Sequence, residues 1–138
     1  MNRRDFQSLA RLRLKEARTL FKAGLPAGAF YLAGYSVECA LKACIAKKVR
    51  RHDFPDKATV ARSWRHDLRE LVNTAELGPE LERELEANPQ FSANWGVVKD
   101  WSERSRYRTD TTLIKARDMI RAVSAPTHGV LRWLIPRW

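Results

Sequence analysis

Ala27-Gly28-Ala29-Phe30-Tyr31-Leu32-Ala33-Gly34-Tyr35-Ser36-Val37-Glu38-Cys39-Ala40-Leu41-Lys42-Ala43-Cys44-Ile45-Ala46 decides the fold. Alanine, the best helix former, dominates this stretch, and its flanks carry the charge that it lacks. The pattern predicts a central helix. Small residues at Ala29, Ala33, Gly34, Ala40 and Ala43 let neighbouring elements approach its backbone closely. A glycine inside a helix costs roughly 0.5–1 kcal/mol relative to alanine, so Gly34 requires a reason, and close helix contact supplies one. Tyr31, Tyr35, Glu38 and Lys42 follow at steps of four, three and four, which places them on one face. Glu38 precedes Lys42 by four residues, the favourable order for a helical ion pair. Buried groups of this kind must be paired. The face is either a satisfied polar seam or the border of a ligand or dimer surface.

Working outward, residues 3–23 predict a first helix with an apolar stripe of Leu9, Leu12, Leu20 and Phe21, flanked by Ala10 and Ala17. Gly24-Leu25-Pro26 stops it, and so short a turn makes the two helices antiparallel neighbours. Lys47, Lys48, Arg50, Arg51 and His52 close the central helix, where cations suit the helix dipole; the alternative is a phosphate-binding cluster. Residues 54–64 show no period and predict a long loop. His66 to Glu76 predicts a third helix with Leu68, Leu71 and Val72 inward. An acidic helix follows over Glu80 to Ala87, ended by Asn88-Pro89. Gln90 to Trp101 predicts a short helix or an irregular apolar segment. Arg104, Arg106 and Arg108 alternate with Ser105 and Tyr107 in a polar, non-helical stretch. Thr109 to Thr112 supplies capping residues for a final helix carrying Leu113, Ile114, Ala116, Met119, Ile120 and Val123, which Pro126 stops or kinks. The tail from Val130 to Trp138 is apolar and is expected to dock on its own core or on a partner.

The length, 138 residues, fits one domain over residues 1–138. The start lacks a signal-peptide core, and there is no run of about 18 apolar residues. Cys39 and Cys44, five apart on one helix, are poorly placed to bridge each other and read as reduced core residues. A cytoplasmic protein with no membrane segment is the expectation. No metal-ligand spacing appears, so neither a metal nor a cofactor is expected. The net charge is +10, unevenly spread. Residues 1–23 hold seven basic and two acidic side chains, whereas residues 70–100 hold two basic and seven acidic. A basic surface with one acidic island points to a polyanion such as RNA.

Three motifs carry a family resemblance. The run Ala29-x-Tyr31-Leu32-Ala33-Gly34-Tyr35-x-x-Glu38-x-Ala40-Leu41-Lys42-Ala43 resembles the second helix of HEPN domains. Arg65-His66-Asp67-Leu68-x-x-Leu71 is similar to the family's short His-x-Leu-x-x-Leu helix. Trp101-Ser102-x-x-Ser105-Arg106-Tyr107 is similar to its Arg-Tyr segment before the last helix. The resemblance implies an all-α, up-and-down bundle of four to five main helices, working as a homodimer. It also implies a role in RNA or nucleotide handling: a metal-independent ribonuclease of a toxin–antitoxin or defence system with a nucleotidyltransferase antitoxin, or, as the alternative, a non-catalytic nucleotide- or partner-binding module paired with a nucleotidyltransferase.

Many HEPN domains are metal-independent ribonucleases with an arginine, four to six residues, then a histidine near the last helix. Arg121 and His128 match that spacing. A histidine can move a proton at a ribose hydroxyl or leaving oxygen, and an arginine can hold the scissile phosphate. On an uninterrupted helix the two would share a face. Pro126 between them and Ala122, where ribonuclease members usually carry a polar residue, depart from the pattern. The second constellation is His66 with Arg104, Arg106 and Tyr107, an alternative catalytic or anion-binding set. There Arg106 either pairs with Glu38 in the bundle or binds an anion, and Tyr107 either stacks on a base or fills the core.

Overall fold

A computed structural model describes residues 1–49 and 53–138. Its secondary structure is helical throughout: eight α-helices and two 3₁₀ turns among the described residues, a finer division than four or five main helices. Arg50, Arg51 and His52 of the basic cluster lie outside the described residues.

Helix α1 (Arg3–Lys22) begins with a capping box between Asn2 and Asp5 and ends before Gly24, whose φ of +77° suits a residue without a Cβ. Helix α2 (Pro26–Lys48) starts on its proline. The Ser36 hydroxyl donates to the Ala10 carbonyl at 2.7 Å, and Leu20 lies against Gly28, so α1 and α2 run antiparallel. The buried line of α1 is Ala10, Leu14 and Ala17, whereas Leu12, expected inside, is exposed. The alanines win that interface because they let the two backbones come close.

Every residue of α2 from Ser36 to Leu41 is buried, the mark of a helix surrounded on all sides. It is packed by α1, by α7 (Leu113–Ser124), α4 (Leu68–Thr74) and α8 (Val130–Leu134), and by a 3₁₀ turn (Glu103–Tyr107). By length and hydropathy α2 would also suffice to cross a bilayer, but 67% of its most apolar stretch is buried inside the protein. Helices α5 (Gly78–Ala87) and α6 (Pro89–Val98) complete the bundle beside α7 and α8.

One segment departs from expectation. Residues 54–64, expected as a loop, hold helix α3 (Lys57–Ser63), capped by Asp56, with no buried residue and with Phe54 and Trp64 exposed. Having no apolar periodicity, it left no signal beyond its cap. Of residues 90–101, the part up to Val98 lies in the regular helix α6, whose Phe91, Trp95 and Val98 face the core, which is the helical alternative expected for this segment. The tail docks on its own core: Leu134 and Trp138 are buried, and Trp133 lies 5.6 Å from Phe91 between ring centroids.

Candidate functional site: a cationic cleft and a held histidine

The polar seam of α2 is covered rather than open. Glu38 is 1% exposed. Its Oε1 accepts from Lys42 Nζ at 2.8 Å and from His66 Nδ1 at 2.9 Å, while its Oε2 is buried without a partner. Tyr31 and Tyr35 stack with centroids 5.9 Å apart, and Tyr31 stacks in turn on Trp101. Arg13 of α1 lies over the Tyr35 ring, and burial pushes the Tyr35 phenol above its ordinary range.

His66 sits just before α4, whose cap is Asp67. Its second ring nitrogen, Nε2, lies 3.2 Å from Glu103 Oε2. His66 therefore reaches a carboxylate on each side, Glu38 through a hydrogen bond and Glu103 by proximity. The result ties α2, the approach to α4 and the 3₁₀ turn together. The turn is shaped locally by Ser102: its hydroxyl accepts from the Arg104 N–H, and its carbonyl accepts from the buried Ser105 hydroxyl. With Ser105 turned in, Arg104, Arg106 and Tyr107 are left at the surface.

Two expectations for this turn are corrected. Arg106 does not pair with Glu38. Lys42, one turn along the same helix, and His66 occupy that carboxylate, and Arg106 instead lies 4.0 Å from Glu103 and 4.8 Å over the Tyr107 ring. Tyr107 does not fill the core but is 73% exposed, its hydroxyl accepting from Arg106 at 2.9 Å. Both side chains lie on the outer side of the turn, whose buried residue is Ser105.

Between the turn and α7 lies a cleft of about 550 Å³. Arg104, Arg108 and Lys115 line it with Phe30, Trp101, Asp100 and Asp118. Lys115 Nζ lies 5.3 Å over the Phe30 ring. Arg108 pairs with Asp110, and Asp118 takes Arg117. Arg104 has no ion-pair partner among the described residues. The cleft therefore combines aromatic side chains with three cations and two carboxylates.

Arg121 and His128 do not share a helix. Helix α7 ends at Ser124, because Ala125 leaves helical geometry (ψ 134°) ahead of Pro126. Arg121 is exposed in the last turn of α7, with no side-chain partner among the described residues. His128 is fixed elsewhere: its Nδ1 lies 2.8 Å from Asn88 Nδ2, and its carbonyl accepts from Asn94 Nδ2 at 2.9 Å. It lines a second cleft of about 410 Å³ with Gln90, Asn94, Pro126 and Thr127, which Arg121 does not line.

The geometry thus gathers His66, Glu103, Arg106 and Tyr107 and sets Arg104 in the neighbouring cleft. Phe30, Lys115, Asn88 and Asn94 were not singled out from the sequence. Only Asn88 carried a signal, as a helix stop beside a proline. Among the described residues no three His, Cys, Asp or Glu side chains gather as a metal site.

No curated protein and no solved structure matches the chain. A family model does, over residues 4–134, and its description is HEPN domain. That match takes in all eight helices, and with it the polar seam, both clefts and the His66 tie: the chain belongs to the HEPN domain family.

Proposed function

We propose that this HEPN protein binds the phosphates of single-stranded RNA or of a nucleotide in the cleft between the 3₁₀ turn and α7. The observation that carries the reading is the meeting of Arg104, Arg108 and Lys115 with Phe30 and Trp101 around one space of about 550 Å³. Cations hold phosphate oxygens, and exposed aromatic rings such as Tyr107 offer a base a stacking surface. The net charge of +10 favours the same partner. The test is fluorescence anisotropy of a labelled single-stranded RNA, with ATP as competitor. Arg104→Ala and Lys115→Ala are expected to weaken binding and to reduce the salt dependence by about one charge each. Binding unchanged in both variants rejects the site.

The second reading is a metal-independent ribonuclease, working as a homodimer in a toxin–antitoxin or defence setting with a nucleotidyltransferase partner. The way His128 is held beside an open cleft favours it. In this reading Arg121 and His128 from two copies serve one substrate, which suits their separation within one chain. RNA cleavage in EDTA by the natural protein, Arg121→Ala, His128→Ala and His66→Ala decides it. Loss confined to Arg121 and His128 supports the pair. Loss on changing His66 moves the chemistry to the other constellation. A folded dimer that cleaves no RNA leaves the binding function.

A further inference from the structure

We infer that Asn88 is a positioning residue for His128, holding its ring in the tautomer with the hydrogen on Nε2, so that His128 meets a ligand as a hydrogen-bond donor. What that donor acts on rests on the ribonuclease reading of His128; the tautomer itself does not.

The orientation of the Asn88 amide decides the matter. Its Oδ1 accepts the Phe91 N–H at 3.1 Å, the cap of α6. Its Nδ2 donates to Glu84 Oε1 at 3.1 Å and faces His128 Nδ1 at 2.8 Å. A flipped amide would set its oxygen against the Glu84 carboxylate and its NH₂ against the Phe91 N–H. Both contacts therefore fix the same orientation. An amide nitrogen of this kind has hydrogens to give and no lone pair to offer, so His128 Nδ1 must accept. The neutral ring then carries its one hydrogen on Nε2. Asn94, holding the His128 carbonyl, and the Gly129 N–H, bonded to the Ala125 carbonyl at 3.1 Å, fix the backbone that carries the ring.

This arrangement selects the chemistry. A ring presenting Nε2–H cannot take a proton at that atom, so it is not arranged as the base that removes a ribose hydroxyl proton. It is arranged to donate to an acceptor, and a phosphate oxygen is the acceptor that RNA supplies. His128 would then stabilise charge on the phosphate as a fixed neutral donor. Asn88 acts through it, without touching substrate.

The experiment is two-bond ¹H–¹⁵N correlation NMR on the ¹⁵N-labelled full chain near neutral pH, which reports separately on each ring nitrogen. In the natural protein His128 is expected to show a protonated Nε2 and a bare Nδ1. Asn88→Asp, made together with Glu84→Gln so that the new carboxylate does not face another, is expected to put a hydrogen on Nδ1, since a carboxylate only accepts, while aspartate still caps α6. Asn88→Ala is expected to leave a mixture, and His66 should be unchanged in both variants. A hydrogen on Nδ1 in the natural protein, or an identical His128 spectrum in all three proteins, overturns the inference. None of these signals depends on activity, so the locked tautomer in a protein that cleaves no RNA fells the ribonuclease reading and leaves this one standing. Where cleavage is present, His128→Ala should lose about a hundredfold. His128→Gln, whose amide can still donate, should keep more of it. Equal loss in both would show that the donor role is wrong.

Discussion

A Cβ built on Gly34 would lie 2.1 Å from Cδ1 of Trp101, inside its indole ring. The close contact that the glycine serves is therefore with an aromatic side chain rather than a second helix backbone. Trp101 is 3% exposed, stacks on Tyr31 and lines the cationic cleft. Gly34→Ala must displace it, at an overpacking cost of about 1–3 kcal/mol. The gain in helix propensity, roughly 0.5–1 kcal/mol, offsets only part of that. In a Trp101→Ala background the steric cost disappears and the propensity gain remains. A double-mutant cycle by urea denaturation should thus give a coupling of the order of 1 kcal/mol or more. Additive effects would show that the indole is not the obstacle.

Glu38 is the buried carboxylate on which the seam depends, and its two cationic or donor partners differ in kind. Lys42 is 14% exposed and pairs within α2, whereas His66 is 42% exposed and joins two other segments. Removing one partner of a buried pair costs about 3–5 kcal/mol because the remaining charge is stranded. Lys42→Met should fall near the lower end of that range, since His66 still donates. Replacing both, as Glu38→Leu with Lys42→Met, should recover most of the loss. Denaturant midpoints test the order, and a double variant no more stable than Lys42→Met would count against it.

His66 holds the 3₁₀ turn through Glu103 at 3.2 Å. His66→Ala should leave α4 in place, because Asp67 caps it independently with bonds to the Arg69 and Glu70 N–H groups. The Ser105 and Arg108 N–H groups of the turn should exchange faster with deuterium. Unchanged exchange there would mean that Ser102 alone shapes the turn.

The two cysteines give a pH prediction. Burial pushes the Cys39 thiol up to about 12 and the Cys44 thiol up to about 11, from an ordinary 9.0. Above pH 9 the unfolded chain loses these protons while the folded protein keeps them. The unfolded state then binds fewer protons, so stability falls as pH rises. It is full below about pH 9 and declines by up to ~1.4 kcal/mol per pH unit for each thiol, from about 9 to about 11 for Cys44 and to about 12 for Cys39. The double variant Cys39→Ala with Cys44→Ala should flatten that slope. An unaltered slope would assign the alkaline loss to other groups.

What the sequence made legible was local or periodic. Gly24 and Pro26 marked the α1–α2 turn, and Glu38 and Lys42 announced their pair by spacing alone. Where one charge had several suitors, sequence failed. Arg106 was the prospect named for Glu38, and only the packed bundle shows that His66 reaches it instead. Helix α3 escaped because it buries nothing. For the candidate site, the residue types were visible at Arg104, Arg106, Tyr107, Arg121 and His128. Their grouping was not, since Phe30, Lys115 and Asn88 reach their places through helix packing that no short motif encodes.

The C-terminal segment is apolar because it completes this chain's own core. Leu134 is 1% exposed and Trp138 7%. Arg11 of α1 lies 4.6 Å over the Trp138 ring, and Arg137 ties back to Glu80 at 2.8 Å and to the Trp133 carbonyl at 2.7 Å. A tail used only between subunits would leave these groups facing outward. Trp138→Ala should therefore cost about 3–5 kcal/mol and Leu134→Ala about 2–5 kcal/mol. The way the loss depends on protein concentration separates the two roles. An intramolecular contact lowers the melting temperature by the same amount at every concentration, whereas loss of a subunit contact makes the shift grow on dilution. Scanning calorimetry of the natural protein and Trp138→Ala over a hundredfold range of concentration should give a constant difference. A difference that widens on dilution would instead assign the tail to an interface between copies.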